Sequence, residues 1–143
     1  PMSDEQKERA EALYEVADLA SYYRVGIEKS VAAIPAGNDF EIAKDIRVIV
    51  VEKGDDFIAI RLNAKTRNYK FDALPLSLAH KLASFKIPES PTQAAAKAVY
   101  QIVVTPEDKK EIREEAFQWL DELGEVDGVD PKRLSKTLQE IFK

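Results

Sequence analysis

The chain has few of the residue types that carry catalytic chemistry. It contains no cysteine, one histidine and five glycines among 143 residues. The lack of cysteine excludes disulfides, thiol nucleophiles and thiolate metal sites together. The glycines form no phosphate-binding motif, and helical spacing places the only imidazole, His80, on the solvent side of its helix. We therefore predict no catalytic, cofactor-binding or metal-binding residue and no cofactor.

Long apolar segments are also lacking. No run approaches the roughly 18 residues that a membrane helix needs, and the charged N-terminal segment lacks the apolar core of a signal peptide. The net charge of −5 works against attraction of the whole molecule to nucleic acid or to an anionic membrane. We expect no membrane partner and favour the cytoplasm as the compartment, although a cysteine-free composition is compatible with either redox environment.

The length and composition predict one soluble globular domain over residues 1–143. Hydrophobic residues make up 45% of the chain and charged residues 33%, which is typical of folded protein. Pro1 precedes the only methionine, so residues 1–2 are interpreted as a tag remnant or as the start of an excised domain. Three segments follow: a helical arm at 3–34, a β meander at 39–72 and a helical part at 75–143.

The strongest pattern in the chain is a change of hydrophobic period. Between Arg47 and Phe71 apolar residues alternate or run continuously, whereas elsewhere they recur at helical spacing. The run Val48–Val51 predicts a strand covered on both faces. The fold class is therefore α+β, with a small antiparallel meander of three or four strands packed with about five helices. Closure of the strands into an SH3-like barrel is an alternative arrangement.

Helix starts are marked by consistent capping signals. Ser3 and Ser90 each precede a glutamine by three residues, the spacing of a capping box. Proline follows a capping residue in three places, a position that favours the first turn of a helix. These signals predict helices that begin after Ser3, Ser90, Thr105 and Asp130.

Positive charge is concentrated in the meander of this acidic chain. From Phe57 to Phe71 there are four basic residues and no acidic one, with aromatic residues between them. Three interpretations stay open: protection of an exposed sheet edge with the aromatics turned inward, binding of an acidic protein or peptide, and binding of single-stranded nucleic acid by stacking and phosphate neutralisation. The candidate surface consists of Arg61, Lys65, Arg67, Tyr69 and Lys70.

Trp119 is a second candidate contact residue. It lies about 200° from Phe117 around a helix with 100° per residue. One of these two aromatics is thus available to a partner or to a second copy of the chain, unless both are taken up by the core.

A calcium loop around Gly128 is excluded by its spacing. If Gly128 occupies the sixth position of an EF-hand loop, Leu123 and Leu134 fall at the first and twelfth positions. Both positions require oxygen ligands. Asp130 is better explained as a helix cap.

The residues from about 20 to 143 resemble a family of uncharacterised bacterial domains that are often C-terminal in longer proteins. The resemblance is carried by the turn at residues 35–40, by the strand Val48–Glu52 and by the Asp-Ala-Leu-Pro segment at 72–75 that leads into a helix. It implies that the chain is a module of a larger protein, and it implies no activity.

These observations leave the biological role unknown. We predict a non-enzymatic protein-interaction or structural module of a larger bacterial protein, which binds a protein partner or itself. The alternative is a module that contacts nucleic acid through the basic strand surface 61–70.

Overall fold

The computed structural model describes residues 3–124 and 129–142, and within them the fold is α+β, as predicted. The described residues form five helices and a four-stranded antiparallel meander. Residues 1–2, which were interpreted as a tag remnant or as the start of an excised domain, lie outside the described residues. Gly128, at the centre of the excluded calcium loop, lies outside them as well.

The elements follow one another in a simple order. The helices are α1 (Asp4–Ala33), α2 (Leu76–Ser84), α3 (Pro91–Val104), α4 (Lys110–Glu122) and α5 (Pro131–Ile141). The strands are β1 (Asp39–Ala43), β2 (Ile46–Lys53), β3 (Phe57–Leu62) and β4 (Lys65–Lys70), with a short 3-10 helix at Phe71–Ala73.

The chain divides into two compact units. The first consists of residues 1–24 and 89–143, and the second of Val25–Pro88, so α1 contributes to both. The sequence contains no signal for a division after Arg24, because the helical periodicity of α1 continues through it.

Two of the capping predictions for long helices are confirmed. Ser3 and Gln6 form a reciprocal capping box: the Gln6 N–H donates to Ser3 Oγ at 3.2 Å and the Ser3 N–H to Gln6 Oε1 at 3.0 Å. Ser90 Oγ accepts from the Gln93 N–H at 3.0 Å, with Pro91 at the first position of α3. Local hydrogen bonds therefore determine where α1 and α3 begin.

The predicted start of α4 is wrong. Thr105 ends α3 instead of starting the next helix, since its hydroxyl donates back to the Gln101 carbonyl. A turn closed by the Lys109 N–H and the Pro106 carbonyl, 3.0 Å apart, follows, and α4 begins only at Lys110. Because the Thr105 hydroxyl is used as a donor within α3, it does not cap α4.

The first unit has α3 at its centre. Five of its side chains are fully buried, as expected of a central helix: Ala95, Ala96, Ala98, Val99 and Ile102. The ring of Tyr23 in α1 lies 5.0 Å from that of Tyr100 in α3. Asp130 Oδ1 accepts from the N–H groups of Lys132 and Arg133, so the predicted cap of α5 is confirmed.

The second unit is built on an open sheet with the order β1-β2-β3-β4. The alternative of an SH3-like barrel is wrong, because β1 and β4 lie at opposite edges and do not pair. One face, called the inward face here, carries Val48, Val50, Ile58 and Ile60, all at most 5% exposed. Within this unit, α2 packs against β1 of the sheet.

Two contacts join helices of this unit to the sheet. Phe85, next to α2, packs edge-on against Phe40 of β1 with ring centroids 5.3 Å apart. Lys53 of β2 donates from Nζ to the carbonyls of Val31 (2.9 Å) and Ala32 (2.7 Å), in the last turn of α1. A cation at the C-terminus of a helix stabilises its unpaired carbonyls.

The prediction that β2 is covered on both faces is wrong. Its burial alternates, and Ile49 and Val51 are 42% and 39% exposed beside the buried Val48 and Val50. The continuous apolar run therefore belongs to a strand whose second face is open to solvent. Residue type alone does not distinguish these cases, because β-branched residues favour either kind of strand.

Candidate interaction surface

The basic residues predicted from the sequence lie on the two neighbouring strands β3 and β4. In the register of this pair, Arg67 is opposite Ile60 and Tyr69 is opposite Ile58. Arg67 and Tyr69 therefore point toward the inward face, and Lys65, two residues before Arg67, points the same way.

Arg61 and Lys70 point toward the opposite, solvent-exposed face. Arg61 pairs with Thr66, and its Nε donates to Thr66 Oγ1 at 3.3 Å. Lys70 pairs with Phe57. The five candidate residues are thus contiguous along the chain but divided between the two faces, and they do not form one flat surface.

β4 is an edge strand of the described sheet. It pairs with β3 alone, and all of its residues are exposed except the half-buried Tyr69. An edge strand leaves every second pair of backbone groups free for another strand. In the part of the chain that the structure describes, none of the ion pairs within 4.0 Å includes a basic residue of this strand.

The opposite edge of the sheet carries the other charge sign. On β1, Asp39 and Glu41 lie on the solvent-exposed face and both contact Arg47 of β2, at 3.2 and 3.9 Å. Arg47 is therefore paired with acidic side chains. The basic residues of β4, in contrast, form no ion pair with any residue that the structure describes.

Trp119 lies in the first unit against α3. It is half-buried, and the Nζ atom of Lys97 lies 4.9 Å from the centre of its ring. Of the two aromatics of α4, Phe117 instead lines a cavity between α4 and the end of α5. The two rings thus have separate environments, as their spacing predicted.

The cavity has a volume of about 500 Å³ and a mixed lining. Its residues come from the segment that leads into α4, from α4 itself and from the end of α5: Glu107, Lys110, Arg113, Glu114, Phe117, Ile141 and Phe142. A volume in this range is typical of small-molecule sites. This site could not be predicted from the sequence, because its lining is brought together from positions up to 35 residues apart.

Arg113 is the most buried charged residue in the lining of this cavity, and only 7% of it is exposed. Its Nε donates to the Ile102 carbonyl at 3.2 Å, and its Nη2 donates to the Thr105 carbonyl. The guanidinium also lies 4.7 Å from the ring centre of Phe142. These contacts hold the cation at the C-terminal end of α3, where a positive charge is stabilised.

The described residues contain no cluster of three or more acidic, histidine or cysteine side chains that could hold a metal ion. The helical spacing predicted that His80 lies on the solvent side of its helix. In the structure His80 of α2 is half-buried. Among the described helices, none combines the length and the apolar character required to cross a bilayer.

Comparison of the chain with family models, with curated proteins and with solved structures finds no match. The resemblance to a family of bacterial domains therefore stays a prediction from the sequence.

Proposed function

We propose that this chain is a non-enzymatic protein-interaction module of a larger, bacterial protein, and that it binds an acidic extended segment of a partner along β4. The observation that supports this most directly is the division of the basic residues between the two faces of an edge strand. Addition of a strand to a sheet edge is a common mode of peptide recognition.

The division of charge fits a strand better than it fits a nucleic acid. Side chains of an added strand alternate between the two faces of the sheet. A strand with acidic residues on both of its faces therefore meets Arg67 on one face and Lys70 on the other. Single-stranded nucleic acid instead needs cations and an exposed aromatic on one surface, and here Tyr69 is half-buried on the inward side.

The test compares two synthetic peptides of identical composition. In the first, glutamates occur in adjacent pairs, so that a strand presents one on each face. In the second, glutamates alternate with threonine, so that all lie on one face. We expect the paired peptide to bind more tightly at low salt and to slow hydrogen exchange of the β4 amides.

Matched variants locate the site. Arg67→Gln and Lys70→Gln should each weaken binding of the paired peptide by about two- to fivefold, the usual range for an exposed ion pair. Lys44→Gln, in the exposed turn after β1, should leave it unchanged. Absence of peptide binding at low salt contradicts the proposal. Tighter binding of a twelve-nucleotide oligothymidylate also contradicts it and supports the alternative, a module that contacts nucleic acid.

A further inference from the structure

We propose that the cavity between α4 and the end of α5 binds a small monoanion with an apolar body, such as a carboxylate on an aliphatic chain. This site lies in the first unit and is independent of the β4 surface. The inference depends on the cavity, on one buried cation in its lining and on the residues around it.

The cation is the Arg113 guanidinium. Two of its three nitrogens, Nε and Nη2, are used by the carbonyls of Ile102 and Thr105. The side chain also lines the cavity, and the residue is 93% buried. A carboxylate oxygen in the cavity would form a charge-assisted hydrogen bond with this guanidinium, which is stronger than a hydrogen bond between neutral groups.

A second cation lies on the same side of α4. Lys110 precedes Arg113 by three residues and also lines the cavity, so the two side chains are neighbours on the helix surface. Neither forms an ion pair within 4.0 Å in the described part of the chain. One anionic group can therefore be contacted by both.

The rest of the lining determines the ligand class. Phe117, Ile141 and Phe142 contribute apolar surface, and Ile141 is 48% exposed. Glu107 and Glu114 also line the cavity. Their charge opposes a polyanion such as a nucleotide, so the arrangement favours a single negative charge joined to an apolar chain.

The test uses three probes that differ only in the head group: octanoate, octanol and octylammonium. The probes have nine or ten non-hydrogen atoms, which fit a cavity of about 500 Å³, and we expect a Kd of octanoate on the order of 1 mM. The readout is the amide chemical shifts of α4 and α5, titrated on the full chain. We expect octanoate to bind at least fivefold more tightly than either octanol or octylammonium.

Two variants and a control establish the location. Lys110→Gln should weaken octanoate binding about two- to fivefold while octanol binding is unchanged. Phe117→Ser should weaken the binding of both octanoate and octanol. Lys109→Gln, one residue outside the lining, should change the binding of neither probe. Arg113 is left intact because it also holds the end of α3.

Three outcomes overturn the proposal. They are equal binding of the three probes, octanoate shifts that lie outside α4 and α5, and octanoate binding that is insensitive to Lys110→Gln. None of these outcomes bears on peptide binding at β4, so the two proposals fail or succeed separately.

Discussion

Ile87 packs directly on the backbone of Gly26 in α1. A Cβ atom at position 26 would lie 2.4 Å from both Cγ1 and Cδ1 of Ile87, which is far inside van der Waals contact. Ile87 is 5% exposed, so it has little room to move away. Gly26 therefore serves as the contact point for the segment that follows α2, within the second unit.

Gly26→Ala should lower the free energy of unfolding. The overpacking cost of about 1–3 kcal/mol exceeds the roughly 1 kcal/mol by which alanine favours a helix. Urea denaturation measures the difference. Gly124→Ala, where an added Cβ has no neighbour within 4 Å, is the control and should change stability by less than about 0.5 kcal/mol. The double variant Gly26→Ala/Ile87→Ala should cost less than the sum of the single changes; additive costs would contradict the contact.

Glu15 and Arg133 form the closest ion pair that is sheltered from solvent in the first unit. Arg133 Nη2 lies 2.5 Å from Glu15 Oε2, and the hydrogen bond to Glu15 raises the pKa of the Arg133 guanidinium. The other Glu15 oxygen and Arg133 Nε are buried with no partner among the described residues. The pair is therefore held by one contact and not by a bidentate fork.

Removal of the carboxylate alone should be destabilising. Glu15→Gln leaves a largely buried guanidinium without its counter-charge, at a cost of about 1–3 kcal/mol in chemical denaturation. Replacement of both partners, Glu15→Leu with Arg133→Met, should cost less than Glu15→Gln does. Arg9→Gln tests the exposed pair with Glu140, where the charges are 3.9 Å apart, and should be nearly neutral. A Glu15→Gln cost equal to that of Arg9→Gln would show that the sheltered pair has no special role.

Because of Tyr23 and Tyr100, the stability of the first unit should decrease at alkaline pH. Burial is the main cause that raises the pKa of each phenol above its ordinary value of 10.0. The folded state therefore keeps both protons to higher pH than the unfolded state. Their stabilising contribution is complete below pH 10 and is lost as the pH rises above it.

We expect the thermal midpoint to fall steeply above pH 10, with up to about 1.4 kcal/mol of stability lost per pH unit for each buried phenol. Tyr23→Phe and Tyr100→Phe should each make this fall less steep. Tyr14→Phe is the matched control, since Tyr14 is 73% exposed, and should leave the slope unchanged. Identical slopes in all three variants would contradict the assignment.

The hairpin between β3 and β4 contains a strained residue. Asn63 and Ala64 are the two loop residues, with φ of 51° and 66°, as a type I′ turn requires. Asparagine tolerates this conformation, whereas alanine does not. Ala64→Gly should therefore raise the free energy of unfolding by roughly 0.5–1 kcal/mol. Ala43→Gly, in β1 and outside the positive-φ region, should lower it; the same sign for both would contradict this account.

Features that depend on neighbours along the chain could be predicted. The caps at Ser3, Ser90 and Asp130 involve contacts two or three residues apart, and each was recognised from residue type and spacing. Where two local signals competed, as at Thr105, the prediction was wrong by four residues.

The amino-acid sequence therefore determined the elements, their order and the chemical character of each surface, because these depend on local propensity and period. Only the tertiary structure determined which side chains lie together on each surface. Strand register placed Arg67 and Lys70 on opposite faces, and packing brought Phe142 onto Arg113. Such contacts join residues far apart in the chain, so their energies depend on how the elements pack and cannot be derived from any single segment.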